Sequence, residues 1–178
     1  MKLSKSSEKY ILHWGEMGSR WGTNRTVSQV HALLYLAPEP LAADQIAKLL
    51  SIARSNVSNS IKELQNYGVI KTTHVLGDRR DHFQATTDMW ELFLQIVAER
   101  KKREIDPTLI MLRQCVLEAE DDKSLDPITK QRMQNELEFM EQLTSWYSQI
   151  ITIPKSKLMK LMALGAKVAK FVGKKKLK

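Results

Sequence analysis

The alternation of apolar and polar positions predicts two helices at the start of the chain. The first covers residues 7–18, and its apolar stripe comprises Tyr10, Ile11, Trp14 and Met17. The second opens with Thr-Val-Ser-Gln, which matches a capping box with Thr26 as N-cap and Gln29 reaching back. It ends before Pro38 and Pro40, because proline cannot continue a helix. We expect the first helix to pack against another helix.

Two short helices in tandem are predicted next. A companion helix contains Leu41, Ile46, Leu49 and Leu50, and the pair Ser51-Ile52 links it to a second helix over residues 53–65. On this second helix Val57, Ile61 and Leu64 recur at spacings of four and three, so one stripe packs inward. The opposite face and its margins carry polar side chains, namely Arg54, Ser55, Asn56, Ser58, Asn59 and Lys62.

Such a polar face can enter a DNA major groove about 12 Å wide and bond to base edges. A hairpin is predicted after it, since β-prone runs at residues 69–76 and 82–86 flank the charged turn 77–81. Arg79 and Arg80 at the tip would meet the phosphate backbone or a minor groove, with Asp78 and Asp81 orienting them. Polar helix faces are often merely solvated, but this order of elements favours a winged helix-turn-helix that reads DNA.

Three runs resemble the MarR family, and most closely its GbsR-type subgroup, over residues 8–150. They are Ala-Leu-Leu-Tyr-Leu-Ala-Pro-Glu-Pro-Leu at 32–41, Ser-Asn-Val-Ser at 55–58 and Val-Leu-Gly-Asp-Arg-Arg-Asp-His-Phe at 75–83. The resemblance implies a homodimeric bacterial transcription regulator, usually a repressor, that straddles an inverted repeat in double-stranded DNA. It also implies a link to osmoprotectant genes such as those for choline or glycine betaine.

Two departures from the family concern helix starts. Ala42 and Ala53 stand where members often carry Ser or Thr, and each missing cap costs about 0.5 to 2 kcal/mol unless replaced. We expect Asp44, and Ser51 or Ser55, to compensate in part. Ser51 also occupies a turn position where Gly is common.

The second half of the chain predicts mostly helix, so the fold class is mainly α with a small β-wing. A long helix begins at Thr87 or Asp88, and Asp106-Pro107 and Asp126-Pro127 each predict a new helical start. We assign residues 1–87 to DNA binding and residues 88–153 to dimerisation. A shared two-fold axis would set the two recognition helices about 34 Å apart.

Residues 154–178 predict a basic amphipathic helix and a lysine tail at Lys174-Lys175-Lys176. Its apolar face comprises Leu158, Leu161, Met162, Gly165, Val168, Ala169 and Val172. The net charge is +8, yet nine lysines and no acid follow position 154, so residues 1–154 carry a net charge of −1. The helix could lie on an anionic membrane, contact DNA beside the operator, or fold onto the dimer. A protein-interaction module tethered to a membrane is the competing functional class.

The sequence contains no recognisable metal-binding or catalytic motif. It therefore predicts that the protein has no cofactor and is not an enzyme. His13, His31, His74 and His82 have no ligand spacing with Cys115, which we expect to be a buried apolar residue of a helix. The acids at 118, 120, 121 and 122 suggest a loop between helices. No secretory or membrane-spanning run occurs, which predicts a cytoplasmic protein.

Two further sites are predicted. Arg25, Thr26 and Ser28 at a helix start could hold a DNA phosphate, although ordinary surface residues fit equally well. Trp14, Trp21, Trp90 and Phe93 could surround a small cationic effector, because each aromatic face attracts a quaternary ammonium by about 0.5 to 2 kcal/mol. Packing in the core and the dimer is the alternative role for these aromatic residues.

Overall fold

The computed structural model describes residues 2–172, with side chains described for residues 2–165. The chain divides into two compact units, residues 1–99 and residues 100–178. No helix among the described residues is both long enough and apolar enough to cross a bilayer.

The first unit is a winged helix-turn-helix. Its elements, in chain order, are α1 (Lys5–Arg20), α2 (Arg25–Leu36), β1 (Leu41–Ala42), α3 (Ala43–Leu50), α4 (Arg54–Asn66), β2 (Ile70–Val75), β3 (Asp78–Ala85) and α5 (Met89–Arg100). The three strands form an antiparallel sheet in the order β1-β3-β2. Helices dominate and the sheet is small, which confirms the predicted fold class.

The core of this unit is built where the helical period placed it. Val30, Leu33 and Leu34 of α2 are almost fully buried, together with Ile46 of α3 and Val57 of α4. Ile61 and Leu64 are buried beside Val57, which confirms the predicted inward stripe of α4. The buried stripe fixes which side of α4 faces solvent.

Helices α1 and α2 pack closely because α1 has glycines at the contact. A Cβ added at Gly18 would lie 1.9 Å from the Ser28 Oγ, and one added at Gly15 would lie 2.7 Å from the Gln29 Cγ. Both distances are far below van der Waals contact. The predicted packing of the first helix is confirmed, and it needs residues without side chains at these two positions.

The start of α2 differs from the prediction. Asn24 is the N-cap, and its Oδ1 accepts a hydrogen bond of 2.8 Å from the Thr26 backbone N–H. Thr26 is therefore the second residue of the helix, and the predicted capping box is wrong, since Gln29 lies against Gly15. The predicted end before Pro38 is confirmed, because α2 stops at Leu36.

Two predictions around the sheet are corrected. Leu41 belongs to β1, where it pairs with Phe83, and not to the companion helix. The hairpin turn is only Leu76-Gly77, with Gly77 at φ +82°, because Val75 already pairs with Asp78. Arg79 and Arg80 consequently lie on β3 and not at the tip.

The two alanine starts behave differently. Neither Ala42 nor Ala53 makes a side-chain cap, but the Ala42 N–H donates to the Gln45 Oε1 at 2.7 Å. Ser51 ends α3 in the left-handed conformation, with φ 54° and ψ 43°. A serine thus adopts the backbone geometry that favours glycine.

The second unit contains a π-helical segment (Lys101–Ile105), α6 (Asp106–Asp121), α7 (Pro127–Ile150) and α8 (Lys155–Val172). The predicted start at Asp126 is confirmed, since its carboxylate accepts from the Ile128 and Thr129 N–H groups. The predicted helical segment at Asp106-Pro107 is also present, since α6 begins at Asp106, but the predicted capping role is wrong, because Asp106 has helical angles and its carboxylate accepts from the Lys101 ammonium. A widened π turn relieves the clash that Pro107 would make with a preceding carbonyl.

Two further expectations are adjusted. Glu118, Glu120 and Asp121 lie in α6, and only Asp122 lies beyond its end. Cys115 is half-buried in α6 and donates to the Met111 Sδ at 3.5 Å.

The C-terminal helix is interrupted. Gly165 has φ 32° and ψ −120°, which breaks the helical path within α8. Leu158 is buried, whereas Leu161 and Met162 are exposed, so the predicted apolar face is not uniform. The side chains of Val168, Ala169 and Val172, and the lysines at 174–176, lie outside the described residues.

Candidate nucleic-acid interface

Helix α4 presents one continuous polar face to solvent. The six side chains predicted to read DNA are all exposed, namely Arg54, Ser55, Asn56, Ser58, Asn59 and Lys62. In the described part of the chain none of these side chains forms a hydrogen bond or ion pair. The face is therefore free to bond to an external partner without first breaking internal contacts.

Ser60 is the exception among the polar residues of α4. It is only 2% exposed, and its hydroxyl donates to the Asn56 carbonyl at 2.8 Å. The position, three residues after Val57, places it on the buried stripe. The C-terminal end of α4 is hydrogen-bonded to the wing, since the Gln65 Nε2 donates to the Thr72 Oγ1 at 3.0 Å.

A groove of about 220 Å³ separates α4 from the start of α2. It is lined by Asn24, Thr26, Val27, Asn56, Asn59, Ser60 and Glu63. The fold thus brings Thr26, a predicted phosphate contact, beside the recognition residues Asn56 and Asn59. Arg25 is exposed at the first position of α2, whereas the Ser28 hydroxyl lies against Gly18 on α1.

The two wing arginines have different environments. The Arg80 guanidinium bonds to Asp78 at 2.5 to 3.1 Å and reaches the Asp44 Oδ2 at 2.7 Å. These hydrogen bonds hold the pKa of Asp78 well below its usual value. Arg80 therefore links the wing to the first turn of α3. Arg79 is exposed and has no ion-pair partner within residues 2–165.

Two histidines and Asp81 complete the wing. His82 is buried, with its Nδ1 2.9 Å from the Arg80 carbonyl and its Nε2 3.4 Å from the Asp78 Oδ2. Asp81 lies 3.9 Å from the His74 Nδ1 and contacts neither arginine. Of the two acids expected to orient the arginines, only Asp78 does so. The Asp44 contact spans 36 positions along the chain and had no sequence signal.

The four residues suggested for an effector form two pairs. Trp14 and Trp21 have ring centroids 5.7 Å apart, and Trp90 and Phe93 have centroids 5.6 Å apart. The exposed fractions of Trp21 and Phe93 are 49% and 52%. Each pair thus keeps one half-exposed ring.

The histidines do not assemble a metal site. Among the described residues, no group of three or more His, Cys, Asp or Glu side chains could hold a metal ion. His31 is instead a half-buried residue with a buried Nε2, and the loss of solvent around the ring lowers its pKa to about 4.

Comparisons with known proteins agree with this geometry. A model described as the MarR family matches residues 21–81. The HTH-type transcriptional repressor GbsR of Bacillus subtilis (strain 168) is 23% identical over 95 residues, 53% of this chain. The match spans about half of that relative, or 52% of its length. A solved structure of a transcriptional regulator shares the fold, with a TM-score of 0.66 and 17% identity over 82% of this chain and 95% of the other. Residues 21–81 therefore lie in a winged helix-turn-helix and match the model of the MarR family, and GbsR is similar to the chain at low identity.

Proposed function

We propose that the protein is a homodimeric transcriptional repressor that binds an inverted-repeat operator through α4 and the wing. The observation that carries this proposal is the exposed, unpartnered polar face of α4 above a buried apolar stripe. An exposed helix of this kind fits the major groove, where amides and guanidinium groups can distinguish base pairs. Repression follows from occupying a promoter, as the name of the GbsR relative suggests.

Each part of the interface has a proposed role. The Asn56 and Asn59 amides can pair with adenine edges, Arg54 or Lys62 can pair with guanine or a phosphate, and Ser55 and Ser58 can bond to either. On the wing, Arg79 is available for the backbone.

Arg80 is held by Asp44 and Asp78, so it approaches DNA in a fixed orientation. At the start of α2, Arg25 and Thr26 can contact a phosphate beside the recognition helix. The Ser28 hydroxyl is turned toward α1, which leaves the proposed backbone contact mainly to the other two residues.

Self-association is supported by the apolar surface of the second unit. Among residues 100–165 its core cluster comprises Leu109, Leu112 and Leu137, with Val116 and Met140 packed against it. Large apolar side chains remain exposed on α6 and α7, namely Ile110, Met111, Leu117, Ile128, Phe139 and Trp146. Exposed apolar surface of this extent marks an interaction site, and a second copy related by a two-fold axis would cover it. Such a dimer would act on DNA in the bacterial cytoplasm.

The proposed input is a small quaternary ammonium compound of the osmoprotectant class. The half-exposed rings of Trp21 and Phe93 could contact such a cation. Titration with choline or glycine betaine should change tryptophan fluorescence saturably, and Trp21→Leu should reduce that change. No saturable change at millimolar ligand would refute this part of the proposal.

A gel-shift assay with the DNA upstream of the protein's own gene tests sequence-specific DNA binding. Asn59→Ala should weaken operator binding by about 1 to 3 kcal/mol, or about 5- to 150-fold, and relax base preference. Asn66→Ala is the matched control, since Asn66 is exposed at the end of the same helix but outside the six-residue face. Equal operator affinities for wild type, Asn59→Ala and Asn66→Ala would contradict the assigned role of α4.

A further inference from the structure

Positive charge is concentrated at one end of the chain. Nine lysines and no acid follow position 154, and the last acid of the whole sequence is Glu141. The first 154 residues, which include the whole winged helix, carry a net charge of −1. A neutral body gives little long-range attraction to a polyanion, whereas the C-terminal segment is strongly attractive.

The recognition surface itself offers few free cations. Arg54, Lys62 and Arg79 are exposed there without an ion-pair partner in the described part of the chain. Arg80 is already bonded to two carboxylates. Phosphate neutralisation supplies essentially all non-specific affinity for DNA and much of specific affinity. A second source of positive charge would therefore increase the affinity of this surface for DNA.

We propose that residues 155–178 are a second DNA-binding element, which contacts phosphates in the duplex beside the operator. The inference rests on the proposed function of α4 and the wing, and it adds a sequence-independent contact to it. Lys157 and Lys160 are exposed on α8, where they can meet a phosphate backbone. The lysines after position 160 provide most of the charge.

Duplex DNA fits this segment better than an anionic bilayer does. A helix lying in a membrane surface needs a continuous apolar face. In α8 the helical path breaks at Gly165, and Leu158 from the predicted apolar face is already buried. Six of the nine lysines follow Gly165 in the sequence. Most of the positive charge therefore follows the position at which the helical path breaks.

The test compares the salt dependence of DNA binding by three full-length proteins. The first is wild type, and the second carries Lys→Gln at four tail lysines, namely Lys167, Lys170, Lys174 and Lys175. The third is a control with the same charge change at exposed lysines elsewhere, namely Lys5, Lys9, Lys102 and Lys123. Binding to operator and to random duplex is measured between 50 and 300 mM KCl, with thermal unfolding as the check on folding.

Each phosphate contact contributes about 0.9 to the slope of log affinity against log salt. The tail variant should show a slope shallower by up to about 3.6 on both duplexes, while the control keeps the wild-type slope. Its preference for operator over random DNA should not fall.

Equal slopes for wild type and tail variant would overturn the proposal. So would flotation of the wild type with phosphatidylglycerol vesicles together with an unchanged slope, which would assign the tail to a membrane. If the wild type itself binds operator no more tightly than random duplex, the proposed function of α4 is refuted instead. The slope on random duplex would still decide the role of the tail.

Discussion

His31 of α2 makes folding stability depend on pH. Its Nε2 is buried and has no hydrogen-bond partner among the described residues. Charging the ring would place an unsolvated cation there, so burial lowers the pKa from 6.5 to about 4. Protonation of His31 therefore favours the unfolded chain.

The magnitude follows from proton linkage. Between pH 6.5 and 4 the unfolded chain binds a proton at His31 that the folded protein does not bind. The contribution to stability is therefore complete above pH 6.5 and is lost as the pH falls through that range. A depression from 6.5 to about 4 corresponds to about 3 kcal/mol, since each pKa unit is worth about 1.4 kcal/mol.

Urea unfolding at pH 7, 6, 5 and 4 measures this loss. His31→Phe should be at least as stable as wild type at pH 7, because it removes an unsatisfied buried nitrogen. It should also lose up to about 3 kcal/mol less than wild type between pH 7 and 4. His13→Gln, at an exposed position on α1, is the control and should follow wild type. Parallel curves for wild type and His31→Phe would refute the reasoning.

Three further substitutions test the packing under the interface by urea unfolding. Gly18→Ala should destabilise by about 1 to 3 kcal/mol, with partial rescue by Ser28→Gly, because the new Cβ meets Ser28. No loss would mean that α1 and α2 do not approach closely. Ser51→Gly should stabilise by about 0.5 to 1 kcal/mol, since φ is positive there, and a destabilised variant would contradict that geometry. Val57→Ala should cost about 2 kcal/mol, and an unchanged midpoint would mean that the stripe is not buried.

Much of the first unit could be predicted from local pattern. The stripe of Val57, Ile61 and Leu64 is a helical period, and burying it leaves a single orientation for α4. The Asp126-Pro127 start was also predictable, because a capping acid and a proline act within one turn. In both places the sequence and the tertiary structure favour the same local conformation.

The sequence-based predictions fail where the local structure depends on more than the local sequence pattern. Strand β1 has only two residues and exists because Leu41 pairs with Phe83, so no local alternation could reveal it. Asp106-Pro107 repeats the pattern of Asp126-Pro127 and α6 begins there, yet Asp106 does not cap the helix, because a π-helical segment leads directly into it.

The candidate site shows the same limit. The exposed residues of α4 follow from the helical period, but the bond between Arg80 and Asp44 joins positions far apart in sequence. The short hairpin turn then moves Arg79 and Arg80 from the predicted tip onto β3.

The most direct test of the central claim is an operator series in which 7-deazaadenine replaces one adenine at a time. This base lacks the N7 acceptor in the major groove, to which an asparagine amide can donate. At one adenine in each half-site, wild type should lose about 1 to 3 kcal/mol of affinity, whereas Asn59→Ala should lose nothing further. If wild type and Asn59→Ala respond identically at every adenine, α4 does not read DNA through Asn59 as proposed.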